Sequence, residues 1–184
     1  MRDLSLHILD LAQNSVRANA ALVEIMVSVD ESRLITITIR DDGSGMSDEL
    51  KERVTSPFAT TRTTRKVGLG IPLMMQNARL AGGDVRIDST LGQGTTLTAT
   101  LQGDSIDCLP LGDLAGTVVS LVSANPERPD FRLSCSSPKG SMDFDTREMR
   151  QALGNVPLNE PEITAWMLSA IQEEIEPIFG GVIL

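Results

Sequence analysis

The chain has 184 residues, with 16 lysines and arginines, 25 aspartates and glutamates, and a formal net charge of -9. This length is enough to bury a hydrophobic core, as one domain or as one domain with an extension. No stretch approaches the roughly 20 apolar residues of a membrane span, and the N-terminus lacks the layout of a signal peptide, so we expect a cytoplasmic protein without a membrane partner.

Composition disfavours two further classes of function. Cys108 and Cys135 lack C-x-x-C spacing and His7 is the only histidine, so a zinc site is not expected. Residues 103–184 hold 13 acidic and 5 basic residues, against 12 and 11 in residues 1–102. The chain therefore offers no basic face to a nucleic acid. The acidic C-terminal part is either a solvated surface or a docking surface for a basic partner.

The N-terminal part opens with a predicted helix and a predicted hairpin. From Leu4 to Ala20, apolar residues recur at helical spacing beside a second, polar stripe. That stripe consists of Asp3, His7, Asp10, Asn14 and Arg17. Alternating apolar residues in 23–29 and 35–39, separated by a turn near Asp30, predict two antiparallel strands with one buried face.

A short helix and an open loop follow the hairpin. Ser47 is the expected cap of a helix over 48–54. Residues 56–66 are rich in threonine and arginine and poor in apolar residues, so we expect an exposed, mobile loop that acts as a lid.

Three more elements complete the N-terminal part. A helix is predicted from about Ile71 to Ala81, because Pro72 suits its first turn and two glycines follow its end. Strands are predicted at 84–89 and 95–101. Residues 1–102 therefore form one predicted domain of the α+β class, with a mainly antiparallel sheet covered on one face by helices.

Residues 103–184 differ in composition from the N-terminal part and are interpreted as a small, acidic α+β extension of unknown function. They contain seven of the nine prolines and the only tryptophan, Trp166. No catalytic constellation is recognisable there, and Trp166 is expected to be a packing anchor. The predicted elements are helices near 113–123, 146–153 and 161–175, and a hairpin near 131–134 and 141–144.

The most informative stretch is Ile39-Arg40-Asp41-Asp42-Gly43-Ser44-Gly45-Met46, in which an acidic turn leaves a hydrophobic strand. A glycine-punctuated acidic turn of this kind also occurs in ordinary tight turns. Three companion motifs occur in one order, each at an edge between predicted elements: DLAQNS at 10–15, GLGIP at 68–72 and GQGTT at 92–96. Together they predict a nucleotide pocket with a carboxylate on its floor.

As a set, these motifs resemble the histidine-kinase-like ATPases of the GHKL superfamily. The similarity covers a little over half of the chain and is closest to the catalytic ATP-binding domain of histidine kinases and to anti-sigma-factor kinases. Residues 68–101 look like the whole second half of that domain. The resemblance implies a Bergerat-type fold, a two-layer α/β sandwich, that binds ATP and Mg²⁺.

The resemblance also implies roles for two residues of the first helix. The family has an acidic residue and, four positions later, an asparagine, and here Asp10 and Asn14 hold those places on one helical face. Asn14 would be a ligand of Mg²⁺, beside phosphates and water, and Asp10 would be the general base of catalysis. The family commonly has glutamate where this chain has Asp10, and the shorter side chain predicts slow hydrolysis.

Asp41 matches the aspartate that accepts a hydrogen bond from the adenine amino group. Gly43 and Gly45 would let the backbone pass close to the base, and Met46 would pack under it. Further nucleotide-binding positions implied by the resemblance are Arg17, Gly68, Leu69, Gly70 and Thr95. Candidate phosphate contacts in the loop, which are more often merely solvated, are Arg62, Arg65 and Lys66.

Two functions remain open from the sequence. The first is a stand-alone kinase or slow ATPase that phosphorylates a protein partner in trans, since no acceptor hairpin precedes the ATPase half. His7 does not resemble the acceptor histidine of sensor kinases and is expected to be a partly exposed helix residue. The second is an ATP-dependent conformational switch that binds a regulatory partner through residues 103–184. Both functions imply ATP or ADP and a protein partner as binding partners.

Overall fold

The computed structural model describes residues 2–55 and 69–180. Every helix and strand expected from the sequence is present, with ends that differ by a few residues. The elements, in chain order, are α1 (Leu4–Arg17), β1 (Leu22–Val29), β2 (Leu34–Asp41), α2 (Asp48–Thr55), α3 (Gly70–Leu80), β3 (Val85–Thr90), β4 (Gly94–Gln102), α4 (Leu114–Ala124), β5 (Asp130–Ser137), β6 (Gly140–Asp145), α5 (Thr146–Leu153) and α6 (Pro161–Phe179).

The described strands form one six-stranded sheet in the order β3-β4-β2-β1-β5-β6. Four of its five strand pairs are antiparallel, and only β1 and β5 run parallel, from Leu22 opposite Asp130 to Ser28 opposite Ser136. The expected α+β class with a mainly antiparallel sheet is confirmed. The division proposed at residue 102 falls at the last residue of β4, and the chain beyond it adds β5 and β6 to the same sheet.

The core lies on one face of the sheet. Burial alternates along the central strands, so that Ile25 of β1, Ile37 of β2 and Leu133 of β5 are fully buried while their neighbours are half-buried. Helices α1, α3, α4 and α6 pack against strands and against one another. This arrangement is the two-layer sandwich that the resemblance implied, with helices covering one face of the sheet as the residue pattern predicted.

Helix α1 links the core to the nucleotide motifs. Asp3 caps its start, with the Leu6 backbone N–H donating to Asp3 Oδ1 at 3.0 Å. The helix ends at Arg17, and Asn19 follows in the left-handed region with φ of 56°. Leu4, Ile8 and Ala12, spaced four residues apart, are fully buried, which fixes the side of α1 that faces the sheet.

The expectation that His7 is partly exposed is wrong, because its side chain is completely buried. Helix α1 packs against α3 and α4 as well as against the sheet, so its buried face is wider than the apolar seam alone. His7 faces α3, where its Nε2 lies 2.7 Å from the amide nitrogen of Asn77. A stripe that is polar in sequence therefore carries one side chain into the interior.

The expectation that Trp166 is a packing anchor is also wrong, since its side chain is 59% exposed. The buried seam of α6 runs through Met167, Ile171, Ile175 and Ile178 instead. Trp166 precedes this seam by one residue, which is about 100° around the helix. The indole consequently lies beside the helical layer and outside the core.

Both cysteines are free thiols, Cys135 buried on β5 and Cys108 half-buried. Burial, followed by the negative charge of Asp143, raises the pKa of Cys135 to about 12, and burial also raises the pKa of Cys108. Neither thiol is activated as a nucleophile.

No helix in the described ranges has the length and apolar character needed to cross a membrane.

Candidate nucleotide site

A pocket of about 280 Å³ opens where α1, α2 and the start of α3 meet the ends of β2 and β4. Six of the residues predicted from the sequence line it, drawn from three separate motifs: Asn14, Arg17, Asp41, Gly45, Met46 and Thr95. The fold therefore brings the helix motif, the acidic turn and the GQGTT motif into one cavity.

Among the described residues, Asp41 provides the one carboxylate of the pocket lining. It is only 9% exposed, and each of its oxygens accepts one internal hydrogen bond. Ser15 Oγ donates to Oδ2 at 2.6 Å, and the Gly43 N–H donates to Oδ1 at 2.9 Å. These two donors fix the plane of the carboxylate toward the cavity.

Ser15 was missed as a site residue because it sits on the apolar seam of the helix. Its hydroxyl is buried and points at Asp41, 26 residues away in sequence. Burying a hydroxyl without a hydrogen-bond partner costs free energy. A serine on an apolar seam was therefore the available indication that such a partner exists.

The walls around Asp41 are apolar. Leu11, Ile39, Ile71 and Leu97 line the cavity, and Met46 is half-buried at its edge. An apolar slot with a single buried acceptor group suits a flat heteroaromatic ring that carries an amino donor. The donor set is therefore chemically compatible with adenine.

The glycines of the acidic turn are sterically required. A Cβ on Gly45, whose φ is 64°, would overlap the carbonyl oxygen of Thr90. A Cβ on Gly43 would come within 2.8 Å of the carbonyl oxygen of Ala18. The turn thus packs tightly onto neighbouring backbone, which supports the proposed roles of both glycines in letting backbone segments approach.

Thr95 takes part in a hydrogen-bond cluster centred on Ser89, a residue that the sequence did not single out. Ser89 Oγ donates to the Gly94 carbonyl at 3.0 Å and accepts from the Met46 N–H at 2.8 Å. Thr95 Oγ1 lies 2.8 Å from Ser89 Oγ and must be the donor, because the one serine proton is already used. Thr95 also lines the pocket, and its hydroxyl oxygen can still accept a hydrogen bond.

Asn14 and Arg17 lie one turn apart at the rim of the pocket. Asn14 Oδ1 accepts from Arg17 Nη1 at 3.2 Å, and the arginine side chain is otherwise exposed. An amide oxygen and a guanidinium at the mouth of the cavity suit the charged end of a nucleotide.

Asp10 lies one turn before Asn14 and is not part of the pocket lining. Its carboxylate contacts the first residue of α3 so closely that a Cβ on Gly70 would come within 2.6 Å of Asp10 Oδ2. Leu69, directly before α3, is 62% exposed and caps nothing with its side chain. Gly68, Arg62, Arg65 and Lys66, together with the expected lid, lie outside the described residues.

Asp42, the second acid of the turn, serves the backbone. Its Oδ1 accepts from the N–H groups of Ala21 and Leu22, at 2.7 and 3.0 Å, where β1 begins. Burial acts to raise the pKa of Asp42, but the hydrogen bonds from backbone N–H groups and the positive charge of Arg128 together lower it. The neighbouring residues Asp41 and Asp42 therefore differ in position: Asp41 lines the cavity, and Asp42 bonds the backbone at the start of β1.

The described residues contain no group of three or more histidine, cysteine, aspartate or glutamate side chains able to hold a metal ion. A divalent cation at this site would depend on ligands supplied by a nucleotide. Mg²⁺ fits such an arrangement, because it commonly keeps waters and phosphate oxygens and takes only one or two protein ligands.

Comparison with known proteins identifies the family. Residues 2–105 match the family described as the histidine kinase-, DNA gyrase B- and HSP90-like ATPases, and this match covers more than half of the chain. The chain belongs to this family. It contains an ATP-binding module of the type found in histidine kinases.

Several curated relatives are sensor kinases. The chain is 33% identical over 88 residues to an uncharacterized sensor-like histidine kinase of Rhizobium meliloti, covering 44% of this chain and 17% of that protein. It is 30% identical over 100 residues to the sensor histidine kinase WalK of Bacillus subtilis, covering 50% and 16%. It is also 30% identical over 105 residues to the histidine protein kinase DivJ of Caulobacter vibrioides, covering 54% and 18%.

The chain thus spans less than a fifth of the length of these relatives. Among solved structures, it is similar to the histidine kinase domain of a blue-light activated histidine kinase from Erythrobacter litoralis. That similarity has a TM-score of 0.41 and 17% identity, and it covers 53% of this chain and 42% of the other.

Proposed function

We propose that this chain binds Mg²⁺ and ATP and transfers the γ-phosphoryl group to a protein partner. The observation that supports this proposal most directly is the convergence on one pocket of a buried carboxylate, Asp41, with the amide oxygen of Asn14. Asp41 accepts the adenine amino group and so selects ATP over GTP. Asn14 contributes one oxygen ligand to Mg²⁺, which shields the charge of the phosphates when it is bound.

In the proposed transfer step, Asp10 accepts the proton of the nucleophile. A hydroxyl or imidazole group of the partner attacks the γ-phosphorus, the bond to the β-phosphate oxygen breaks, and ADP leaves. Arg17 at the rim stabilises phosphate charge. Gly70 lets the N-terminal turn of α3, an end of a helix that favours anions, lie beside the Asp10 carboxylate.

A second candidate function, an ATP-dependent binding switch, is favoured by the position of Asp10. Its carboxylate lies against Gly70 and outside the pocket lining, and it is one methylene shorter than the glutamate of the family. In this alternative, ATP occupies the pocket without rapid chemistry and changes the affinity of residues 103–184 for a partner.

The decisive experiment uses ATP labelled at the γ-phosphate, with Mg²⁺, in the presence and absence of cell extract. We expect label on another protein with the wild type and about a hundredfold less with Asp10→Ala. Asp10→Glu should raise the slow hydrolysis of ATP without changing nucleotide affinity. Binding of ATP without transfer to protein or water would contradict the kinase proposal and favour the switch.

Asn14→Ala distinguishes the metal ligand from the base. It should weaken ATP binding in the presence of Mg²⁺ more than in its absence, whereas Asp10→Ala should leave both affinities nearly unchanged. Gln13→Ala is the matched control, because Gln13 is the adjacent half-buried amide and does not line the pocket.

A further inference from the structure

The exposed side of α6 combines a tryptophan with carboxylates. Trp166 is 59% exposed, with Glu162 four residues before it and Glu173 seven residues after it on the same side of the helix. The helical rise places them about 6 and 10 Å from Trp166 along the axis. Ser169, which donates to Glu173 at 3.0 Å, lies between them. We call Glu162, Trp166, Ser169 and Glu173 the α6 face.

The negative charge of α6 is not neutralised by the basic residues of the C-terminal part. The helix carries four glutamates and no lysine or arginine. All five basic residues of 103–184 are held by other groups. Arg132 pairs with Asp143, Arg147 with Asp145 and Arg150 with Asp130, Arg128 donates to the carbonyls of Asn19 and Ala20, and Lys139 donates to the carbonyl of Gly180.

A merely solvated helix face accounts for the glutamates but not for the tryptophan. An exposed indole leaves a large apolar surface in water, and tryptophan is among the residues that most often dominate binding energy at interfaces. A second copy of this chain is a poor occupant, because it would bring together two helices that carry glutamates and no lysine or arginine. Charge complementarity therefore favours a basic occupant.

We propose that the α6 face docks a basic segment of a protein partner. An arginine or lysine of that segment stacks on the Trp166 ring, and neighbouring cations pair with Glu162 and Glu173. An apolar side chain beside the cation covers the rest of the indole. This surface lies outside residues 2–105, the part of the chain that matches the family. The docking proposal rests on the proposed function only because both require a protein partner.

Trp166 is the only tryptophan of the chain, so its fluorescence reports on the α6 face alone. The probe is a synthetic twelve-residue peptide of arginine and leucine in helical spacing. We expect it to shift the Trp166 emission to shorter wavelength, saturably, and to bind more weakly at high salt. The same peptide with glutamate for arginine should leave the emission unchanged.

Variants connect the binding to the named side chains. The double variant Glu162→Gln and Glu173→Gln should weaken peptide binding by about fivefold to tenfold, as expected for two exposed ion pairs. Glu148 is an exposed acidic residue on α5, so Glu148→Gln is the matched control and should not change peptide binding. Trp166→Ala, followed by anisotropy of a labelled peptide, should lose about thirtyfold in affinity while keeping its circular dichroism spectrum.

Ionic quenchers test the local field without any peptide. Caesium should quench Trp166 more effectively than iodide, and the double variant should reduce that preference while Glu148→Gln preserves it. Equal quenching by the two ions would contradict the unneutralised charge. Equal binding of the basic and acidic peptides would overturn the proposal.

Two further measurements distinguish the α6 face from a contact between copies and from the nucleotide site. A shift of Trp166 emission with protein concentration alone would identify the α6 face as a contact between copies and overturn the proposal. ATP titration of the same variants should give the wild-type affinity. If the wild type binds no ATP but still binds the basic peptide, the proposed function fails and the docking surface stands.

Discussion

Asp41 combines strong burial with spare capacity for hydrogen bonds. A carboxylate has about four acceptor sites, and Ser15 and the Gly43 N–H occupy one on each oxygen. The remaining sites face a cavity with apolar walls, where water competes weakly for a donor. We therefore expect Asp41 to recognise a ligand donor at this position with high selectivity.

We predict that Asp41→Asn lowers the affinity for ATP by about 10- to 100-fold, the range for loss of a hydrogen bond to a charged group. The affinity for GTP, which presents no amino donor at the corresponding position, should change much less. Ser15→Ala should cause a smaller loss, because the Gly43 N–H still orients the carboxylate. Calorimetric titration with both nucleotides measures these differences.

Asp42→Asn is the control for that prediction. It removes a negative charge from the neighbouring position, but Asp42 bonds the start of β1 and does not line the pocket. We expect reduced stability with unchanged preference for ATP. Equal affinity of the wild type for ATP and GTP would contradict the assignment of Asp41.

At the scale of elements, α1 and α3 are joined by a buried polar contact. An amide nitrogen can only donate, so Asn77 donates to His7 Nε2 at 2.7 Å and the ring proton lies on Nδ1. His7 Nδ1 is buried and has no hydrogen-bond partner among the described residues. The same two helices also approach closely at Asp10 and Gly70, seven residues before Asn77 on α3.

Protonation of His7 would break this contact, since Nε2 would then carry a hydrogen facing another donor. Burial lowers the pKa of His7 below its ordinary value of 6.5, and the nearby carboxylates of Asp10 and Asp3 oppose this only in part. The unfolded chain accepts the proton near pH 6.5, whereas the folded chain resists it. The contribution of His7 to stability is thus present above pH 6.5 and declines as the pH falls below it.

We predict that His7→Gln, which keeps a neutral polar group, removes this component of the pH dependence. Urea unfolding between about pH 5 and 7.5 should show the wild type losing more stability than the variant on acidification. His7→Leu should lose the link to Asn77 and be less stable than His7→Gln at neutral pH. Parallel curves for wild type and His7→Gln would contradict a neutral, buried histidine.

At the scale of the whole molecule, the parallel pair β1 and β5 joins the ATP-binding part to the acidic C-terminal part. Ile25 lies opposite Leu133 in this pair, and both side chains are completely buried. Helix α4 packs on α1, and α6 packs on α4, so the helical layer is also continuous across the same point. The buried core therefore contains residues from both parts.

We therefore predict a single cooperative unfolding transition. Far-ultraviolet circular dichroism and Trp166 fluorescence should change together, although Trp166 lies far along the chain from the nucleotide motifs. Leu133→Ala should destabilise the whole chain by about 2–5 kcal/mol. Leu80→Ala, at a position 55% exposed on α3, should cost far less. Two separate transitions would instead indicate two independently stable units.

The sequence alone determined the elements and predicted six of the residues that line the pocket. Local periodicity, capping residues and glycine turns act over a few positions, which is why α1, α3 and the hairpins were predictable within a few residues. The motif order also predicted that Asn14, Asp41, Gly45 and Thr95 share a pocket. The elements depend on information carried by neighbouring residues in the chain, whereas the shared pocket was inferred from the set of motifs and the family that they resemble.

Only the tertiary structure decided which residues that are distant in sequence contact one another in the interior. Ser15 bonds Asp41 across 26 residues, His7 meets Asn77 across 70, and β5 joins the sheet beside β1 across about a hundred. These pairings depend on how helices stack and strands order, which no local pattern specifies. Trp166 shows the same limit of prediction from local sequence. It lies one residue before the buried seam of α6, so its side chain is exposed although its apolar character suggested a place in the core.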